Sequence, residues 1–144
     1  IRAATAGSNA AVNNTGNLTT SGAITTTAAA NGTIGLTATT GVETINAAVT
    51  AGGAGTVGLT TTGGNDLLVN QAVTSTTGAI TANSGAAITE AGAGKFGTTG
   101  LLTTSSVTGQ TLNGANTVGS FNATNTTSGA ISLTNTAATL TVTG

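Results

Sequence analysis

The sequence predicts an all-β fold: a right-handed parallel β-helix (β-solenoid) of about six to seven coils of roughly 20–24 residues, with residues 1–144 forming a single segment. Three observations carry this. The composition is dominated by small and strand-prone residues, a frame recurs at a spacing of 23 residues, and the apolar residues come in short i, i+2 pairs. Right-handedness follows from the general rule for parallel crossovers.

Composition comes first. Of 144 residues, 37 are Thr, 26 Ala, 23 Gly and 14 Asn, so four residue types fill 100 positions. Thr and Val favour strands, Gly and Asn supply turns, and so much Gly, Thr and Asn disfavours helix. Leu, Ile, Val and Phe total 28, which is poor for a globular core. Disorder would also require strong self-repulsion, and the net charge is only -1. Such a chain collapses or pairs.

The repeat justifies the elements in order. Gly32-Thr33-Ile34-Gly35-Leu36-Thr37 recurs as Gly55-Thr56-Val57-Gly58-Leu59-Thr60, and 23 residues further on as Gly78-Ala79-Ile80-Thr81-Ala82. Ile45-Asn46-Ala47-Ala48-Val49-Thr50 matches Val69-Asn70-Gln71-Ala72-Val73-Thr74 after one inserted residue. A tag, Ser21-Gly22-Ala23-Ile24, returns as Thr77-Gly78-Ala79-Ile80 and Ser128-Gly129-Ala130-Ile131. Beyond about residue 100 the phase loosens, although Ile131-Ser132-Leu133 and Leu140-Thr141-Val142 keep the alternating form. Alternation of period two marks strands, here about three to five residues long. A hairpin sheet of such strands buries little, whereas a coil stacks each apolar residue on its equivalent one turn later. Phe96 and Phe121 are expected as interior fillers, and outward Thr and Asn as ladders between coils. A β-sandwich polymerised by strand donation is the alternative fold, but its strands need five or six residues.

The residues that are missing exclude functions. The chain has no His, Cys, Met, Trp, Tyr or Pro. Zinc, copper, haem and iron–sulfur centres lose their usual ligands, and thiol chemistry and disulfides are impossible. Arg2, Glu43, Asp66, Glu90 and Lys95 are the only charged residues, too few and scattered for general acid–base catalysis and too few cations for a nucleic-acid footprint. No enzyme activity, catalytic residue, cofactor or metal site is predicted. No apolar run is long enough for a membrane-spanning helix, two Phe cannot build the aromatic girdles of an outer-membrane barrel, and no signal peptide is evident at Ile1-Arg2-Ala3-Ala4. The first residue is not Met, so a processed or excised segment is expected.

From about Gly22 onward the chain resembles the shaft repeats of filamentous-haemagglutinin-like exoproteins. The phrases that carry this are Leu112-Asn113-Gly114-Ala115-Asn116-Thr117-Val118, Ser128-Gly129-Ala130-Ile131-Ser132-Leu133-Thr134-Asn135 and Leu140-Thr141-Val142-Thr143-Gly144. The resemblance implies a right-handed parallel β-helix, export to the bacterial cell surface, and a role in adhesion, biofilm or fibre formation. Neither end shows a cap, and open solenoid ends template further pairing. The expected partner is therefore the chain itself, as tandem repeats or an end-to-end homopolymer, with host or surface glycans as further partners.

Several motifs have plainer explanations. Gly63-Gly64-Asn65-Asp66 begins like a calcium-binding nonapeptide, but those repeat the Asp every turn, so a simple turn is expected. Sequons at Asn13, Asn17, Asn31, Asn122 and Asn125 match the number that 46 Thr and Ser would give by chance. Glu43 and Glu90 stand 47 residues apart, near two coil periods, a spacing that could place both on one edge, as in a glycosidase; the further charges of such a cleft are missing. The Thr-x-Thr pairs Thr37/Thr39, Thr74/Thr76, Thr139/Thr141 and Thr141/Thr143 change register relative to the apolar residues, against the fixed position that an ice- or glycan-binding face requires.

Overall fold

The alternation of apolar and small polar residues folds into strands that form no antiparallel hairpins among the described residues. Instead, each pairs with the strand one turn away. The computed structural model describes residues 2–3, 7–29 and 31–144, excepting the side chains of Arg2 and Ala3. It is an all-β parallel solenoid of about six turns, without a helix among the described residues. No described helix is long and apolar enough to cross a membrane.

The chain passes three faces in rotation, termed A, B and C. β1 (Arg2–Ala3) lies on C, β2 (Ala10–Asn14) on A, β3 (Leu18–Thr20) on B and β4 (Ile24–Thr26) on C. The next turn comprises β5 (Ile34–Ala38), β6 (Glu43–Ile45) and β7 (Val49–Ala51), and the one after it β8 (Val57–Thr61), β9 (Leu67–Val69) and β10 (Ala72–Ser75). β11 (Ile80–Asn83) and β12 (Ile88–Glu90) follow on A and B. β13 (Lys95–Ser106) runs unbroken from C to A, and β14 (Gln110–Asn125) from B through C to A. β15 (Ile131–Asn135) and β16 (Thr141–Val142) close the stack on B and A.

Every strand pairing among the described residues is parallel, which excludes the strand-donating sandwich. The registered column on face A is Ala10, Ile34, Val57, Ile80, Leu102, Phe121 and Val142. Its first step spans 24 residues (10 to 34) and its shortest 19 (102 to 121), while face B opens with 25 (18 to 43), slightly wider limits than the sequence frame suggested. The short-strand expectation fails most for β13 and β14, of 12 and 16 residues, where shorter turns keep the chain extended through its corners; β1 and β16 fall below it at two residues each.

Packing explains the composition. Through the central turns the inward columns of Ile, Leu and Val are fully buried, with Phe96 completely enclosed and Phe121 nearly so, as fillers should be. Burying each large side chain contributes roughly 1.5–3 kcal/mol. Corners bring successive backbones into contact, and there only Gly fits. A Cβ on Gly94 would lie 1.8 Å from the Val69 carbonyl oxygen, and one on Gly78 would lie 2.1 Å from that of Gly55.

Inward hydroxyls stitch the C-to-A corner. Ser75 Oγ donates to the Gly55 carbonyl (2.6 Å) and accepts from Gly78 N–H (2.9 Å). Thr98 Oγ1 repeats this one turn on, with the Gly78 carbonyl (2.7 Å) and Gly100 N–H (2.9 Å). Buried backbone groups without partners cost free energy, so this position selects a small hydroxyl residue over an aliphatic one.

The Ser/Thr-Gly-Ala-Ile tag proves to mark corners rather than one phase of the coil. Ile24 follows the corner into face C, Ile80 the corner into A, and Ile131 the corner into B.

Candidate functional site

Three-residue strands buried at both ends turn their central residue outward, and this builds the surface. On face B the outward column is Thr19, Thr44, Leu68, Thr89, Thr111 and Ser132. On face C it is Thr25, Thr50, Thr74, Gly97 and Thr117. Thr74 Oγ1 donates to Thr50 Oγ1 at 3.1 Å, and Asn70 Nδ2 to Asn46 Oδ1 at 2.8 Å, so ladders between turns do form. Of the Thr-x-Thr pairs, only Thr74 stands in one of these columns. Thr37 faces outward on A, Thr74 on C, and Thr141 pairs with Ser120 at the last turn, so they share no register. Looking for paired threonines missed the columns because each short strand contributes one; the triplets Glu43-Thr44-Ile45 and Val49-Thr50-Ala51 carried the signal.

Glu43 and Glu90 are not displayed on an edge. Both point into the solenoid from face B, in adjacent inward columns. Glu43 is fully buried, in register between Leu18 and Leu67, and Glu90 is in register with Val69. Glu43 Oε2 accepts from Thr60 N–H at 3.1 Å, while Oε1 has no hydrogen-bond partner. Burial pushes the Glu43 carboxyl up to about 8, the Thr60 N–H offsetting part of the effect. Glu90 Oε2 accepts from Gly114 N–H (2.7 Å) and Asn116 Nδ2 (3.0 Å), and Oε1 is again without a partner. Burial raises its pKa, and hydrogen bonds from Asn116, Gly114 and Phe96 pull it back.

Asn116, fully buried, is the polar hub that composition alone did not reveal. Its Oδ1 accepts from Phe96 N–H at 2.6 Å, and its Nδ2 faces Glu90 Oε2 and the carbonyls of Leu112 and Thr134. Gln110, also inward, donates to the Thr124 carbonyl at 2.8 Å and accepts from Thr104 Oγ1.

The remaining motifs are structural. Asp66 Oδ1 accepts from Ala87 N–H at 3.0 Å and Asn65 Nδ2 donates to the Thr62 carbonyl at 2.6 Å, so Gly63–Asp66 closes a turn. Among the sequons, Asn17 Oδ1 accepts from Val42 N–H and Asn31 Oδ1 from Ala54 N–H, both on the next turn. Asn125 Nδ2 bonds the Ser128 and Gly129 carbonyls, whereas Asn13 and Asn122 face outward on A.

Three surface cavities stand out. One of about 210 Å³ is lined by Glu90, Asn113 and glycines, one of about 340 Å³ by Gln71 and Lys95, and one of about 350 Å³ near the first turns by Val12, Leu18, Ile24 and Leu36. None of the three joins two titratable side chains, the geometry that acid–base chemistry needs.

Fold and surface together define a three-faced parallel β-solenoid with hydroxyl columns outside and two carboxyls inside. No protein-family model, curated protein or solved structure matches the chain.

Proposed function

We propose that the chain is a structural shaft: a β-solenoid segment of an extracellular bacterial adhesin or filament that acts by spanning distance rather than by chemistry. The observation carrying this reading is the continuity of registered columns through successive turns, with the same three faces repeated along the axis. Its partner on this reading is itself, as tandem copies or stacked subunits, with host or surface glycans bound elsewhere along the fibre. The last turn leaves Ile131 40% and Val142 73% exposed, apolar edges of a kind that a further turn would cover. Immunogold labelling of intact cells producing the natural gene tests the proposal. Label along surface fibres is expected, and label confined to the cell interior rejects it.

The hydroxyl columns of faces B and C favour a second reading, an ice- or glycan-binding face. Strand spacing sets their repeat at about 4.8 Å, and uncharged, registered hydroxyls suit an ordered, uncharged lattice. Leu68 interrupts one column and Gly97 the other. Thermal hysteresis that disappears in the Thr50→Val/Thr74→Val double variant would support it, and unaltered ice growth would discard it.

A further inference from the structure

The shaft reading uses the apolar interior and leaves its two carboxyls unexplained. We propose that the interior of face B is a pH-sensitive latch: Glu43 and Glu90 complete its packed columns as neutral acids, and their ionisation loosens the central turns. The inference does not depend on where the shaft is deployed.

The geometry is the argument. Each carboxyl is anchored on one oxygen only, Glu43 by Thr60 N–H and Glu90 by Gly114 N–H and Asn116 Nδ2. The other oxygen of each is buried without a partner. An ionised carboxylate in such a place needs a counter-charge or water. The elements packed against Glu43 are β3, β9 and β8, and none contains a titratable residue. Asp66, just before β9, is the nearest charged residue in sequence. Around Glu90 lie β9, β14 and β13; the first two are uncharged, on β13 Lys95 is exposed with its side chain outside the core, and the surface cavity of about 210 Å³ that Glu90 lines makes it the less enclosed of the two acids.

Burial therefore raises both acids above their ordinary value of 4.5, Glu43 to about 8. The direction of the linkage follows. Below the unfolded value, folded and unfolded chains are both protonated, and stability is complete. Between that value and the folded value, folding must take up a proton, so stability falls as pH rises, and beyond the folded value it levels off. The latch is closed in acid and opens toward alkaline pH.

The test is urea unfolding of the whole chain, followed by circular dichroism from about pH 4 to pH 9, for the parent, Glu43→Gln, Glu90→Gln and the double variant. For the parent, the unfolding constant should rise about tenfold per pH unit for each proton retained. Glu43→Gln should remove the larger part of that slope, and the double variant should be flat. A parent whose stability is constant or increases toward neutral pH overturns the proposal, as does an unchanged slope in Glu43→Gln. Should a variant fail to fold, carbon-13 NMR titration of the parent carboxyls decides: both Glu side chains titrating in the ordinary acidic range would also overturn it.

Discussion

Glu43 occupies a position that its column neighbours fill with leucine. Keeping it neutral at pH 7 against a folded value of about 8 costs about 3 kcal/mol of stability relative to an unfolded chain free to ionise. Glu43→Leu continues the Leu18–Leu67 column but removes the acceptor of Thr60 N–H, so its effect should be more favourable at pH 7 than at pH 4 by about 3 kcal/mol, as measured by urea midpoints. Asn116 is the opposite case. Asn116→Leu removes the acceptor of Phe96 N–H and a donor to Glu90 together, and each buried group left unpaired costs about 1–3 kcal/mol. Loss of about 3 kcal/mol or more is expected, with the broadening concentrated in resonances of β13 and β14. The placement of these residues was partly legible. Glu43 lies two residues from Ile45, and Glu90 two from Ile88, so strict alternation already put both acids on the inward side. What obscured it was their chemistry, since a carboxyl reads as solvent-facing unless its strand is known to be enclosed. Asn116 gave no such clue, because the Asn-rich surroundings are those of a turn.

At the level of the element, the frame read from Ile34, Val57 and Ile80 is the face-A column itself, and the inserted residue between the Ile45 and Val69 phrases is the change of turn length. Local alternation together with spacing suffices for strands that begin and end at glycine corners. It fails for β13 and β14, where contracting turns merge strands across the corners. The recurring tag misleads for a related reason: every corner needs a small residue followed by an inward aliphatic, whichever face comes next. The corners themselves are unforgiving. Gly94→Ala forces a methyl into the Val69 carbonyl and should cost more than the roughly 1 kcal/mol typical of a point substitution, whereas Gly64→Ala, with nothing within 4 Å but a positive φ of 77°, should be milder. Comparing their thermal midpoints checks this. In the columns, Leu59→Ala should cost about 2–5 kcal/mol. Leu133→Ala, in the half-buried last turn, should cost clearly less.

For the whole molecule, the parallel stack directs its backbone hydrogen bonds along the long axis. Each face runs without interruption through most of the turns. The outward faces carry little charge and present mainly hydroxyl and amide groups. These same hydrogen bonds decide how the rod bears load. Pulled by its two ends, the solenoid presents one turn at a time to the force, and a turn of about 22 residues that contributes roughly 5 Å of height while coiled can pay out roughly 75 Å when drawn straight. Such a stack is expected to yield in steps, one turn at a time, rather than all at once. Force spectroscopy of the chain between two folded handles should record a series of such steps at similar force, whereas a single rupture would mean that the turns fail together.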